Sequence, residues 1–211
     1  MIKIFIADDH EIVRRGLKQI ISEIPDMVVA AEAHDGNEVI KRIYDDVNFD
    51  VVLLDISMPG RNGLDVLKVI KARRPKLPVL MLSVHPEEQY AVRALKAGAS
   101  GYLTKESAPE ELISAIRKIS KGGKYVTSSL AEKLLFELEV FNERPCHENL
   151  SDREFQVMCM FASGKTLKEI ANELCLSIQT ISTYRSRILE KMNMNSLAEV
   201  IRYAVKHGIV E

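Results

Sequence analysis

Five short apolar runs punctuate the first half of the chain, at residues 2–7, 27–33, 51–54, 79–82 and 101–104. Runs this short, rich in Ile, Val and Leu and closed by polar or turn-forming residues, predict buried strands. Between them the apolar positions recur at helical spacing. Val13, Leu17, Ile20, Ile21 and Ile24 share one helix face, and Val39, Ile40 and Ile43, then Leu64, Leu67 and Ile70, then Val92 and Leu95 continue the pattern. Ser107-Ala108-Pro109-Glu110 predicts a capping box before a last helix that buries Ile113 and Ile116. Strands and helices in strict alternation predict a parallel sheet covered on both faces.

The second half reads differently. Three capping-box patterns follow one another, Ser151-x-x-Glu154, Thr166-x-x-Glu169 and Ser196-x-x-Glu199, with a further helix start at Ser177. They predict an all-α unit over 149–211. Its first helix buries Phe155, Met158, Cys159 and Ala162, and Gly164 stops it; the second carries Leu167, Ile170 and Leu174. The third repeats at Ile181, Tyr184, Ile188 and Met192, and the fourth buries Leu197, Val200, Ile201, Ala204 and Val205 before Gly208. A short helix, a tight turn and another helix form a helix-turn-helix. Residues 122–148 join the halves. There, Ser128 or Ser129 is expected to cap a helix bearing Leu130, Leu134, Leu135 and Leu138, and Asn142 to His147 break helical order.

Composition narrows the class. The 211 residues are 46% hydrophobic and 28% charged, with a net charge of −1. Residues 1–120 carry 17 basic and 18 acidic side chains, and 148–211 carry eight of each, so any nucleic-acid binding must be local. No apolar run reaches the roughly 18 residues of a membrane span, and the start does not read as a signal peptide; a cytoplasmic protein is expected. Cys146, Cys159 and Cys175 make an odd set without a C-x-x-C pair, which argues against a disulfide framework. Cys146-His147 has no zinc-site spacing, and Cys159 and Cys175 fall in apolar patterns that suggest core positions.

Candidate chemistry gathers at the strand ends. Asp8-Asp9 follow the first run, Asp55 the third, Ser83 the fourth and Lys105 the fifth. Right-handed crossovers bring these ends to one edge of the sheet, where ligands bind in open α/β folds. Any one of them alone is equally a capping acid or a solvated strand end. Together, several close carboxylates call for a divalent cation, and oxygen ligands suit Mg²⁺ better than zinc. Such a site supports phosphoryl transfer to a carboxylate, with Lys105 and the Ser83 hydroxyl holding phosphoryl oxygens.

On Asp8-Asp9, Asp55 with Met58-Pro59-Gly60, Ser83, and Tyr102 three residues before Lys105, residues 1–121 resemble a response-regulator receiver domain of flavodoxin-like (βα)5 fold. The resemblance implies phosphorylation of Asp55 by a sensor histidine kinase. It implies Mg²⁺ held by Asp9, Asp55 and the Ser57 backbone carbonyl, with Asp8 acting through water. It also implies a switch pair, the Ser83 hydroxyl moving toward the phosphate while the Tyr102 ring turns inward. Two positions depart from the common pattern: Glu106 follows Lys105 where many receivers have Pro, and Val84 stands where Ala or Gly is frequent.

On a helical wheel with Ile181, Ile188 and Met192 inward, Gln179, Thr183, Ser186, Arg187 and Glu190 face outward and Ser182 lies at the margin. That is the face a recognition helix offers to the major groove. Arg187 suits guanine, Gln179 adenine and Thr183 a thymine methyl, while Thr180, Arg185 and Lys191 suit phosphate contacts. A protein-binding bundle with a wet polar face has the same spacing. Leu150 to Glu154, Glu169-Ile170-Ala171, Ser177-x-x-Thr180-Ile181 and Lys191 resemble the LuxR-type DNA-binding domain, so nearly the whole chain resembles a NarL/FixJ-type two-component response regulator. The resemblance implies double-stranded DNA as partner, a homodimer when phosphorylated, and Ser182, Thr183 and Ser186 at base-facing positions. An Asp-nucleophile phosphatase fits less well, because Asp55-Ile56-Ser57 lacks a second acid. A ligand-sensing quorum regulator would need an aromatic-lined pocket, and the chain has no Trp.

Overall fold

The computed structural model describes residues 1–45, 48–59, 61–85, 87–127, 130–131 and 145–210. The chain divides into two compact units, Met1–Ala131 and Glu132–Glu211.

In the first unit, β1 (Ile2–Ala7), β2 (Met27–Ala33), β3 (Val51–Asp55), β4 (Val79–Ser83) and β5 (Gly101–Thr104) form one parallel sheet in the order β2-β1-β3-β4-β5. They alternate with α1 (Glu11–Ser22), α2 (Gly36–Tyr44), α3 (Gly63–Arg73), α4 (Glu87–Lys96) and α5 (Pro109–Ser120). β3 and β4 are buried at every position, as their unbroken apolar runs require. Successive side chains point to opposite faces. Ile4, Ile6, Leu53, Leu80 and Leu103 meet Leu17 and Ile21 of α1 and Leu112, Ile116 and Ile119 of α5. Their neighbours in sequence, Phe5, Val52, Leu54 and Met81, are equally buried on the other face. Each apolar side chain so buried contributes roughly 1.5–3 kcal/mol.

Two local expectations need correction. The 107–110 pattern makes no capping box: α5 begins after Ala108 without a side-chain cap, and the Ser107 hydroxyl lies 3.2 Å from that of Thr104 instead. Helix α4 buries Tyr90, Ala91 and Ala94, whereas Val92 and Leu95 are only half-buried, because the stripe that meets β5 lies one position earlier. In the joining segment, the Leu130 amide donates to Thr127 Oγ1 at 3.3 Å and the Ala131 amide to the Thr127 carbonyl at 3.0 Å. Thr127 thus bonds to the amides of Leu130 and Ala131. The expected caps Ser128 and Ser129, with Leu134, Leu135, Leu138 and Asn142 to Arg144, lie outside the described residues.

The second unit opens with a 3-10 turn, Cys146–Asn149, followed by α6 (Asp152–Ala162), α7 (Leu167–Glu173), α8 (Ile178–Met192) and α9 (Leu197–Lys206). Ser151/Glu154 and Thr166/Glu169 form complete reciprocal capping boxes, and Ser177 caps α8. The Ser196 box is only half made: its side chain accepts from the Glu199 amide, but Glu199 bonds the amide of Asn195 at 2.9 Å. Gly164 ends α6 at φ +83, a left-handed turn that disfavours any residue with a Cβ. Cys175 ends α7 in the same region, at φ +52, and is exposed. It is thus a turn residue and no core residue, since the left-handed step turns it out while Leu176 bonds back to Ala171 at 2.8 Å. Val205 is likewise exposed and Leu197 and Ile201 half-buried, because α9 meets its neighbours mainly through Val200 and Ala204.

Candidate functional site

The carboxyl ends of β1, β3, β4 and β5 converge as the topology demands. Hydrogen bonds from Ile56 N to Leu82 O (3.2 Å) and from Lys105 N to Ser83 O (2.7 Å) hold these ends in register. Asp8 and Asp55 are each 1% exposed. The Lys105 ammonium bridges them, 2.7 Å from Asp8 Oδ2 and 2.8 Å from Asp55 Oδ2. Asp55 Oδ1 accepts from the Ser57 amide at 3.2 Å, and Asp8 Oδ1 from the His10 amide at 2.8 Å.

Burial acts most strongly on Asp55 and pushes its carboxyl up to about 6; Lys105 pulls it back down and the Asp8 charge adds to the rise. Burial also disfavours the Lys105 ammonium, but Asp55 and Asp8 outweigh that and hold it above its ordinary value.

One oxygen or nitrogen from each of Asp8, Asp9, His10 and Asp55 lies within 4.8 Å of all the others. Asp9 Oδ1 is buried without a well-directed hydrogen bond, His10 Nδ1 standing 2.8 Å away, and Asp8 Oδ2 has the shared Lys105 ammonium at 2.7 Å. Buried carboxylate oxygens in a tight set fit a hard divalent cation.

Two supports escaped the sequence reading. Asn62 caps α3, its side chain accepting from Leu64 N at 2.7 Å. Gly63 presses so closely on the end of β3 that a Cβ there would sit 2.0 Å from the Asp55 carbonyl oxygen. Asn-Gly is a turn signal, yet only the tertiary approach explains the glycine. The other is His85. Its amide donates to Ser83 Oγ at 3.0 Å, its carbonyl accepts from the Tyr102 hydroxyl at 2.9 Å, and its ring lies 3.5 Å from Ser57 Oγ. Tyr102 is fully buried, so the ring expected to turn inward is already inside.

In the second unit, Ile181, Ile188 and Met192 are buried and Gln179, Thr183, Arg185, Ser186, Arg187 and Glu190 are exposed, with Ser182 and Thr180 at the margin. Arg185 and Arg187 make no ion pair among the described residues. The Thr183 and Ser186 hydroxyls bond back to the carbonyls of Gln179 (3.0 Å) and Ser182 (3.3 Å), and the Thr180 hydroxyl lies 2.8 Å from that of Ser177.

Lys191, expected to suit a phosphate contact, also has a partner within its own unit. Its ammonium is 2.6 Å from Glu154 Oε2, the carboxylate that also closes the capping box of α6. Burial pushes the Glu154 carboxyl up, but Lys191 and the Ser151 hydrogen bonds outweigh this and leave it below its ordinary value. Ile178, half-exposed in the first turn of α8 beside Gln179, was not singled out by the wheel.

Comparison with known proteins agrees with both units. Residues 4–117 match the response regulator receiver domain, and residues 148–204 match the luxR family of bacterial regulatory proteins. The chain is 36% identical over 210 residues to the response regulator UvrY of Escherichia coli, covering 99% of this chain and 96% of that protein. It is 34% identical over 212 residues to the response regulator GacA of Pseudomonas aeruginosa, covering 100% of this chain and 99% of that protein. Among solved structures, it is similar to the Salmonella typhimurium response regulator RcsB at 27% identity and a TM-score of 0.59, over 97% of this chain and 98% of RcsB. It also matches the RcsB–DNA complex at a TM-score of 0.60 and 27% identity, over 100% of this chain and 99% of that one. No described helix is long and apolar enough to cross a membrane. Receiver, helix-turn-helix and full-length similarity agree: the chain belongs to the NarL/FixJ-type two-component response regulators, with a receiver domain followed by a LuxR-type DNA-binding domain.

Proposed function

We propose that Asp55 is the residue that accepts the phosphoryl group from a sensor histidine kinase, within a receiver spanning residues 1–121. The observation that carries this is the single Lys105 ammonium bridging two almost fully buried carboxylates, Asp8 and Asp55. Asp55 is the member of that pair placed at the end of a central strand, with one oxygen aimed at Lys105 and the other at the Ser57 amide. A carboxylate oxygen of Asp55 attacks phosphorus, the bond from phosphorus to the kinase histidine nitrogen breaks, and that nitrogen leaves with the electron pair. Lys105 then shifts from carboxylate to phosphoryl oxygen, and the Ser83 hydroxyl donates to another. Asp9, Asp55 and the Ser57 carbonyl would hold Mg²⁺, with Asp8 acting through water. The ion supplies charge neutralisation between the acids and the incoming phosphoryl oxygens. Ser83 and Tyr102 form the switch pair, and His85 links them through its amide and carbonyl.

Residues 149–211 bind double-stranded DNA, residues 122–148 being the connection. Phosphorylation favours a homodimer that sets two copies of α8 on half-sites about 10 base pairs apart. Gln179, Ser182, Thr183, Ser186 and Arg187 face the bases, and Ile178 adds an apolar contact of the kind that reads a thymine methyl. Thr180, Arg185 and Lys191 contact phosphate. Lys191 ties α8 to the start of α6 through Glu154 and so fixes the angle at which the helix is presented. The protein acts in the cytoplasm, where kinase and DNA are both within reach.

Incubation with Mg²⁺ and a small acyl phosphate tests the phosphoacceptor. Intact-mass measurement should record one added phosphoryl group in the native chain and none in Asp55→Asn. An unchanged modification in Asp55→Asn would remove the proposal.

A further inference from the structure

The opposite edge of the sheet holds a second concentration of charge. A cavity of about 450 Å³ opens between the α3–β4 turn, the turn before β5 and the chain leaving α5. Its lining includes Lys71, Lys76 and Lys124, the backbone of Gly122 and Gly123, and Ser100. Pro78 and Ser100 stand just before β4 and β5, whereas Asp55 and Ser83 end their strands. The cavity therefore lies a full strand length from the phosphoryl site.

Two features set it apart, although the Lys76 and Lys124 side chains are exposed and only Lys71 is half-buried. No acidic residue lines it. The Lys71 and Lys124 ammoniums are anchored rather than free, donating to the carbonyls of Leu77 (2.6 Å) and Ala99 (2.5 Å). Lys76 makes no ion pair among the described residues. Room for the Lys71 stem comes from Gly98, at φ +101, where a Cβ would stand 3.2 Å from Lys71 Cγ. Lys71 bears the consequence of the crowding: burial first, and then the Lys124 charge, lower its ammonium to about 8. With Lys71 half-buried and the Lys124 charge close to it, the two ammoniums oppose one another, and an incoming anion relieves that repulsion. A volume of this size suits a small metabolite, and three ammoniums without a carboxylate suit several negative charges on one ligand.

We propose that this cavity binds a small polyphosphate-bearing molecule through Lys71, Lys76 and Lys124, independently of the phosphorylation of Asp55. Its position gives the binding a direction. Lys124 precedes Tyr125, whose amide donates to the Ser100 carbonyl at 2.8 Å and which bridges Gly101 at the head of β5. A ligand held by Lys124 and the two glycines grips the segment by which the chain leaves the receiver.

The test is a calorimetric titration of the full-length, metal-free protein with inorganic tripolyphosphate and with ATP at constant ionic strength. Amide shifts of Gly98, Gly122 and Gly123 are followed by NMR in parallel. The expected result is saturable one-site binding with those amides moving, weakened about tenfold or more in Lys71→Gln and in Lys124→Gln. It should be largely restored in Lys71→Arg and unaffected in Arg185→Gln/Arg187→Gln. Tighter binding of ATP than of tripolyphosphate identifies a nucleoside polyphosphate, and equal or weaker binding a bare polyphosphate chain. If Lys71→Gln proves unstable, Lys124→Gln and the shifts in the unaltered protein give the same reading. Absence of saturable binding, or binding lost in the arginine variant and kept in the lysine variants, overturns the proposal.

Discussion

At the mouth of the sheet, Asp8 and Asp55 are almost fully buried and share one ammonium; on α8, Arg185 and Arg187 stand in solvent with no ion pair among the described residues. The first arrangement is costly unless every charge has a partner, so each residue's identity is dictated by its neighbours. The second costs the fold almost nothing, and its residues are dictated by what the unit must touch. On the proposed function, chemistry falls to groups the fold holds captive and recognition to groups it leaves free. Substitutions at the mouth should therefore register in stability and reactivity together, whereas those on α8 should register in DNA binding alone.

Removing Lys105 tests the captive side most severely. Lys105→Met leaves two buried carboxylates facing each other, and the metal-free protein should lose about 3 kcal/mol in denaturant unfolding. The same change should tighten Mg²⁺ binding, because the ion no longer competes with an ammonium for Asp8 and Asp55; weaker binding would contradict the bridge.

Acidity gives the next effect. The carboxyl of Asp55 is raised to about 6 in the fold, so the folded state holds its proton more tightly than the unfolded chain does. Its penalty is absent below the unfolded value near 3.8 and grows as pH rises through about 6. By linkage, metal-free protein should lose about 2–3 kcal/mol across that window relative to Asp55→Asn. Parallel stability curves for the two proteins would show that the buried charge carries no such cost.

On the free side, Arg187→Ala should weaken DNA binding by about 1–3 kcal/mol and relax sequence preference at one position. Arg185→Ala should instead lower the salt slope by about one across all sequences. Neither should move the melting temperature. A large fall in stability for either would erase the contrast. The smallest effect is kinetic. Val84 is exposed beside Ser83, and Val84→Ala should speed loss of the phosphoryl group a few-fold by admitting water, at about the scale of a lost methyl contact. An unchanged decay rate would show that its bulk does not shield the site.

The same contrast explains what could be read from residues alone. The central strands β3 and β4 were legible because burial on both faces forces unbroken apolar runs. The edge strand β2 was legible by its Val and Ala content, although it is largely exposed or half-buried. Asp55, Ser83 and Lys105 stood out by closing such runs. The caps at Ser151, Thr166 and Ser177 are local chemistry and were legible for that reason. What depended on distance in space was not. The bond between Lys191 and Glu154 spans 37 residues, and the pressure of Gly63 on Asp55 is invisible without the fold. His85 acts largely through its amide and carbonyl, which no side-chain pattern announces. Cys175 was misplaced because a left-handed residue there is normally Gly or Asn, and Val205 because helical spacing locates a stripe without fixing its width.

The close approach of Gly63 also sets where the receiver can yield. Helix α3 starts against the Asp55 carbonyl with no space for even a methyl group, so that wall of the mouth behaves as an anvil. On the proposed phosphorylation of Asp55, this wall would not give, and displacement would pass instead toward β4 and β5, where the His85 amide and carbonyl link Ser83 to Tyr102.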